Sequence, residues 1–202
     1  INDFKVHHRK LKVGTHLNNS FTILVKILSD DELKQNPTRQ FLAIEERLNH
    51  VKESGFANYF GPQRFGNQLK NLTSAQNLFE NGKKIKNKHI RGLVLSAARS
   101  FLFNLQVNYR IQQSQFHQAL DGDVFQINKS SSIFSSKDLE DCQQRMDQQA
   151  IHPTAVLMGS GKALSQGESL QIENHIQSLY PLWVRRLKDF KLKLERRAIR
   201  AL

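Results

Sequence analysis

The side chains able to do chemistry in this chain are dominated by cations, and they fall into two groups. Arg9, Lys10 and Lys12 sit close together in an opening segment that also holds Lys5, His7 and His8 against Asp3 alone. Near the other end, Arg186, Lys193, Arg197 and Arg200 recur at spacings of seven, four and three. Guanidinium and ammonium groups at this density track phosphates. A solvated surface face gives the same pattern, so both readings stand. Lys and Arg number 30 against 18 Asp and Glu, a formal charge of +12. That balance favours a polyanionic partner, either nucleic acid or an anionic membrane. A basic protein with no such partner is the plainer alternative.

Other chemistries are excluded by spacing. Gly159-Ser-Gly-Lys162 suggests a phosphate loop, but the required leading glycine is Val156 and the Ser or Thr after the lysine is Ala163. The eight histidines form no HExxH and have no companion cysteines, so no metal site is expected. No serine lies in GxSxG. Glu45 and Glu46 stand beside Arg47 and Lys52 and read as solvated rather than catalytic. Cys142 is the only cysteine, which rules out an intrachain disulfide and suits a reducing cytoplasm. No apolar run approaches the roughly 18 residues that a membrane helix needs. No RRM or KH signature is present.

The elements that would position these groups are mixed. Phe21–Leu28 is apolar and β-branched and reads as a buried strand after a turn at Asn18-Asn19. A helix begins at Asn36-Pro37-Thr38, carries Phe41, Ile44, Leu48 and Val51 on one face, and ends at Gly55. Thr73 is expected to cap a helix ending near Gly82. The clearest helix carries Ile90, Leu93, Val94, Ala97, Ala98, Phe101, Leu102 and Leu105 at helical spacing, with the two alanines allowing a close neighbour. Short strands are expected at 123–127 and 132–134, a helix from Ser135 or Ser136 towards Gln148, and a strand at 154–158. From Pro181 the pattern predicts one two-faced helix. Trp183, Leu187, Phe190 and Leu194 lie on its apolar side, and the four basic residues Arg186, Lys193, Arg197 and Arg200 on another.

Five blocks, in order, resemble a known family. His8–Gly14 followed by Asn19-Ser-Phe-Thr22 is similar to the HKRKLRxGxxxxNxFT stretch of the tRNA pseudouridine synthase D (TruD) family. Asn58–Gly66 resembles its NYFGxQRFG block, and Ser96–Asn104 its SAARSxLFN helix. Asp121-Gly-Asp123 and Gly159-Ser-Gly161 follow in the family's order, and the likeness runs from His8 to Glu195–Arg200. Two departures are Asn18 and Ala57, where the family usually has Gly and Pro; the second is expected to loosen a loop.

The resemblance implies an α+β chain: part of a pseudouridine synthase catalytic core, residues 1–54 and 195–202, around a large inserted mixed TRUD domain, residues 55–194. It implies isomerisation of uridine-13 of tRNA to pseudouridine, with tRNA as partner, no cofactor, no metal and a cytoplasmic location; the sequence leaves the oligomeric state open, with a monomer favoured. The reaction breaks the C1′–N1 bond, turns the base and rejoins it through C5, which calls for a carboxylate aimed at a flipped-out nucleotide. In the family that Asp lies in a GxKDxxA motif upstream of the HKRKLR stretch. The sequence opens at Ile1-Asn-Asp-Phe-Lys5 as if in mid-strand, so a fragment without the nucleophile, inactive alone, is expected. By resemblance Phe21 stacks on the target base and Asn19 holds the neighbouring loop; an aromatic beside a basic strand stacks on an unpaired base for about 1–3 kcal/mol. Taken singly, Phe21 also reads as a core residue and Asn19 as a turn asparagine. A non-catalytic RNA-binding module of the same descent is the alternative function.

Overall fold

The computed structural model describes Thr22, Leu24 and residues 37–201. Arg9, Lys10, Lys12, Asn19 and Phe21 lie outside the described residues, as does all but two positions of the strand expected at 21–28. The chain divides into two compact units, 1–46 and 47–202. Helix α1, Pro37–Ser54, has proline at its start, where a missing N–H costs nothing. Glu45 and Glu46 are exposed on it, and so are Phe41, Leu48 and Val51. The helix stops where Gly55 takes φ +68° and its N–H bonds to Val51 O at 2.8 Å.

The second unit is built on α4, Lys88–Gln112. Asn87 caps it by accepting the Ile90 N–H at 3.1 Å. Its apolar face carries Val94, Ala98 and Leu102 into the main core with Ala75, Phe79, Ile176 and Trp183. Ala97 and Ala98 are fully buried. Around it stand α3, Lys70–Phe79, α6, Gly167–Leu179, and α7, Pro181–Asp189. The short helix α2, Pro62–Phe65, precedes α3, and α5, Leu139–Asp147, closes a smaller core of Phe125, Cys142, Met146 and Ile151.

Under α4 lies an antiparallel sheet of β2, Val124–Ile127, β3, Ile133–Ser135, β4, Ile151–Leu157, and β5, Glu195–Ala198, in the order β3-β2-β4-β5. A two-residue pair joins β1, Phe56–Ala57, to β6, Arg200–Ala201. One buried glutamine sets helix on sheet: Gln106 Nε2 donates to Leu102 O and Val156 O at 3.0 and 2.9 Å, and its Oε1 accepts the Val156 N–H at 3.0 Å. Such a residue fixes register because a slip leaves its amide unpaired in the core. Mixed helix and antiparallel sheet is the α+β class that the sequence leads one to expect.

Several elements differ from expectation. Thr73 is not a cap: α3 starts at Lys70, and Thr73 Oγ1 bonds back to Leu69 O at 3.5 Å. The helix expected from Ser135 or Ser136 starts at Leu139, capped by Asp138, because Ser135 is held in β3. Ala57 is in β1, paired with Arg200, rather than in a loosened loop. The long helix from Pro181 ends at Asp189, and the chain then turns at Lys191 with φ +54° and runs extended into β5. Arg186, Lys193, Arg197 and Arg200 therefore share no helical face. Helix α6 was not expected, its sequence being too weakly periodic to mark it. Among the described residues no helix is long and apolar enough to cross a membrane, and no cluster of His, Cys, Asp and Glu could hold a metal.

Candidate functional site

The Asn58–Gly66 block is a tight loop whose backbone is held by distant side chains. Asn104, from α4, accepts the Phe60 N–H with its Oδ1 and donates its Nδ2 to Phe60 O, both at 2.9 Å. Asn58 Nδ2 donates to Ala198 O at 2.9 Å, and the Asn58 N–H to Ile199 O at 2.8 Å. The Phe60 ring packs edge-on against Phe103, 5.4 Å between centroids. Gly66, at φ +78°, then turns the chain into α3, with Asn71 against it. Three blocks far apart in sequence, at Asn58, Asn104 and Ala198, thus meet on one ring.

Two guanidiniums flank that ring. Arg197 lies 4.3 Å and Arg64 5.3 Å from the Phe60 centroid. Arg197 Nη2 donates to Asn58 Oδ1, while Arg64 Nη1 donates to Ser96 Oγ at 3.0 Å. Burial first, and then the neighbouring charge of Arg64, pull the Arg197 pKa below its ordinary value. Tyr59, 39% exposed, forms a lip, and burial raises its phenol pKa. Tyr59, Phe60, Gly61, Gln63, Arg64, Asn71, Leu93 and Arg197 line an open groove of about 590 Å³ that has no carboxylate in its lining.

Strand alternation explains why Arg197 reaches the groove and its neighbour does not. Arg196 points to the opposite side, where its Nη2 meets Glu173 of α6 at 2.7 Å and its Nε meets Thr154 Oγ1 at 2.8 Å. That pair is buried, with side chains 2% and 6% exposed. Arg99, from the Ser96–Asn104 block, ties the sheet end together through Leu157 O, Lys193 O and Glu195. These arginines hold the scaffold that presents the groove.

The remaining cations are scattered. Arg200 is 5% exposed, with Nη2 on Met146 O at 2.6 Å and Nε on His152 Nδ1 at 3.3 Å. Its guanidinium is spent inside the fold, which corrects its reading as a phosphate contact. Arg186 sits on α7, 3.9 Å from Asp189. Lys193 is exposed just before β5, where Ser160 bridges to it. Arg64, which sequence reasoning passed over inside a motif it had quoted, is brought beside Arg197 across 133 positions.

The other two motif blocks are structural in this unit. Asp123 accepts Arg110 Nη1 and Nη2 at 2.7 and 3.1 Å, plus the Leu120 N–H at 3.0 Å. Gly122, at φ +75°, lies so close to Gln166 that an added Cβ would sit 2.1 Å from its carbonyl oxygen. Asp121 O receives the Ser169 N–H, anchoring α6. Gly159 presses on the Leu192 and Lys193 carbonyls, and Ser160 exchanges backbone bonds with Leu192 and Leu194. Gly159-Ser-Gly161 therefore stitches the turn after α7 to the end of β4.

Comparison with known proteins gives one consistent result. The family model described as tRNA pseudouridine synthase D (TruD) matches residues 1–73 and 67–196. A tRNA pseudouridine synthase D of Hydrogenovibrio crunogenus is 37% identical over 196 residues, 97% of this chain and 54% of that protein. One of Aeromonas salmonicida is 37% identical over 194 residues, 96% of this chain and 52% of that protein. The chain spans about half the length of the curated relatives it matches. A Methanosarcina mazei crystal structure described as tRNA pseudouridine synthase D has a TM-score of 0.59 at 16% identity, covering 81% of this chain and 56% of that one.

Proposed function

The chain belongs to the tRNA pseudouridine synthase D family, and on that premise we propose that it is part of an enzyme isomerising uridine-13 of tRNA to pseudouridine. The observation that carries this reading is the convergence of the Asn58–Gly66 and Ser96–Asn104 blocks with β5 on one open, twice-cationic groove. A groove with aromatic walls and unneutralised guanidiniums suits single-stranded or splayed RNA, whose bases stack and whose phosphates need cations.

The division of labour follows from where carboxylates are. Breaking the C1′–N1 bond calls for a carboxylate facing the nucleotide. Among the described residues, Asp123 and Glu173 are buried and held by Arg110 and Arg196, and no carboxylate lines the groove. The described fold is accordingly assigned to gripping and orienting tRNA, and the nucleophile to an Asp in a GxKDxxA context outside these 202 residues. Phe21 and Asn19 are assigned to the target base, and Arg9, Lys10 and Lys12 to phosphates nearby. Arg186, Lys193 and Arg197 remain candidate tRNA contacts, now as separate points.

The test uses unmodified tRNA and carbodiimide-stop primer extension. The whole protein containing this chain should give a stop at position 13, and the 202-residue chain alone should give none. A stop with the chain alone sinks the division of labour. Retention of tRNA by the whole protein without any stop would instead establish a non-catalytic binding module.

A further inference from the structure

We propose that Arg64 and Arg197 together clamp one phosphodiester of the bound RNA, against the face of Phe60. This rests on the tRNA reading for its ligand, and on the groove itself for the anion. The starting point is a charge imbalance. Both guanidiniums flank one ring, 5.3 and 4.3 Å from its centroid, and neither is in an ion pair among the described residues. The arginines buried in this part of the fold are by contrast neutralised or spent: Arg110 on Asp123, Arg196 on Glu173, Arg200 on a carbonyl and a histidine. At Phe60 the partly buried Arg197 has the exposed Arg64 as its charged neighbour, a like-charge arrangement that a negative group joining them would relieve. The quadrupole of the ring offsets part of that repulsion without neutralising it.

The donor inventory is also unfinished. Arg197 Nη2 is used by Asn58, but its buried Nε has no partner among the described residues. Arg64 uses one Nη1 donor on Ser96. A guanidinium carries five N–H donors in a rigid fork, so both retain N–H groups for an incoming tetrahedral oxyanion. Gln63 and Asn71, also in the lining, can add neutral donors.

A polyanion fits better than an isolated carboxylate because further cations crowd the sequence just before one of the lining elements. Leu93 of α4 lines it, and the segment leading into that helix carries Lys83, Lys84, Lys86 and Lys88 within six positions. The first turn of α4 holds no acidic residue. An RNA strand whose phosphate is held at Arg64 and Arg197 and that extends towards the start of α4 would meet these further cations, gaining affinity by counterion release.

Two arms of one experiment separate the anion site from its source, using the whole protein. In the first, melting is followed in inorganic phosphate against chloride at matched ionic strength. Phosphate should raise the wild-type melting temperature, and Arg64→Gln should lose most of that rise. Arg64→Lys should keep part of it, and Lys129→Gln, on the turn at the far edge of the sheet, should keep all of it. In the second arm, filter binding of tRNA across a salt series should show Arg64→Gln weakened roughly tenfold. Its plot of log affinity against log salt should be flatter by about 0.7 to 0.9. Arg64 makes one side-chain hydrogen bond, so these variants should fold. Equal phosphate protection in wild type and Arg64→Gln would overturn the anion site. Lost phosphate protection with an unchanged tRNA slope would overturn RNA as its occupant. Neither arm measures pseudouridine, so failure here stays distinct from failure of the enzyme assignment.

Discussion

Asp123 offers the sharpest separation between a carboxylate that does chemistry and one that holds the fold. It stands in a family motif block, and its side chain is fully buried opposite Arg110, itself 3% exposed. It receives three hydrogen bonds: two from the Arg110 fork and one from the Leu120 N–H. Arg110 also donates to Gln118 O at 2.7 Å, closing the loop after α4. Asp123→Ala would leave a guanidinium buried without its counter-charge, a change that costs about 3–5 kcal/mol. For a unit of this size each kcal/mol moves the melting temperature by about 2–4 °C, so a fall of roughly 6–20 °C is expected. Replacing both partners, Arg110→Met with Asp123→Leu, should recover most of it, since no charge is then stranded. The assay pairs circular-dichroism melts of the whole protein with single-turnover pseudouridine formation below the transition. The folded variant should turn over at the wild-type rate. An Asp123→Ala protein that melts within about 2 °C of wild type, or one that is folded but inactive, would refute the structural assignment.

Three further outcomes are expected. Asn104→Ala should lower stability by about 1–3 kcal/mol, because it orphans the Phe60 N–H and carbonyl together, and should weaken tRNA binding as the loop loosens; denaturant titration and filter binding check both. His152 is buried beside Arg200, and burial first, then that charge, lower its pKa from 6.5. Its contribution is therefore intact above pH 6.5 and lost as pH falls, so His152→Gln should flatten part of the stability loss measured between about pH 7 and 5; His117, lowered mainly by burial, supplies another part. In the whole protein, Phe21→Ala should slow single-turnover catalysis by about 1–3 kcal/mol of transition-state binding. A melting loss equivalent to about 3–5 kcal/mol with a normal rate for the folded fraction would make Phe21 a core residue instead.

Local physics was legible where one element satisfies itself. The α4 periodicity, the proline start and glycine stop of α1, and the short apolar run of β4 need no distant partner to be recognised. The motif blocks likewise identify the family by residue order alone. The stretch after Pro181 shows the limit. Trp183, Leu187, Phe190 and Leu194 were spaced as one helix face, and all four do pack on the same core. The chain reaches it in two conformations, because Ser160 takes the Leu192 carbonyl and β4 offers a free edge to Glu195–Ala198. Apolar spacing records which residues are buried; it does not record a hydrogen-bonding partner forty positions away. Once β5 is a strand, alternation sends Arg196 to Glu173 and Arg197 to Phe60, and β6, after a bend at Ile199, holds Arg200 buried. The sequence alone determined the family, the basic character and the main helix. Only the tertiary structure decided which arginines remain without a counter-charge, since that depends on carboxylates and rings brought together from distant parts of the chain.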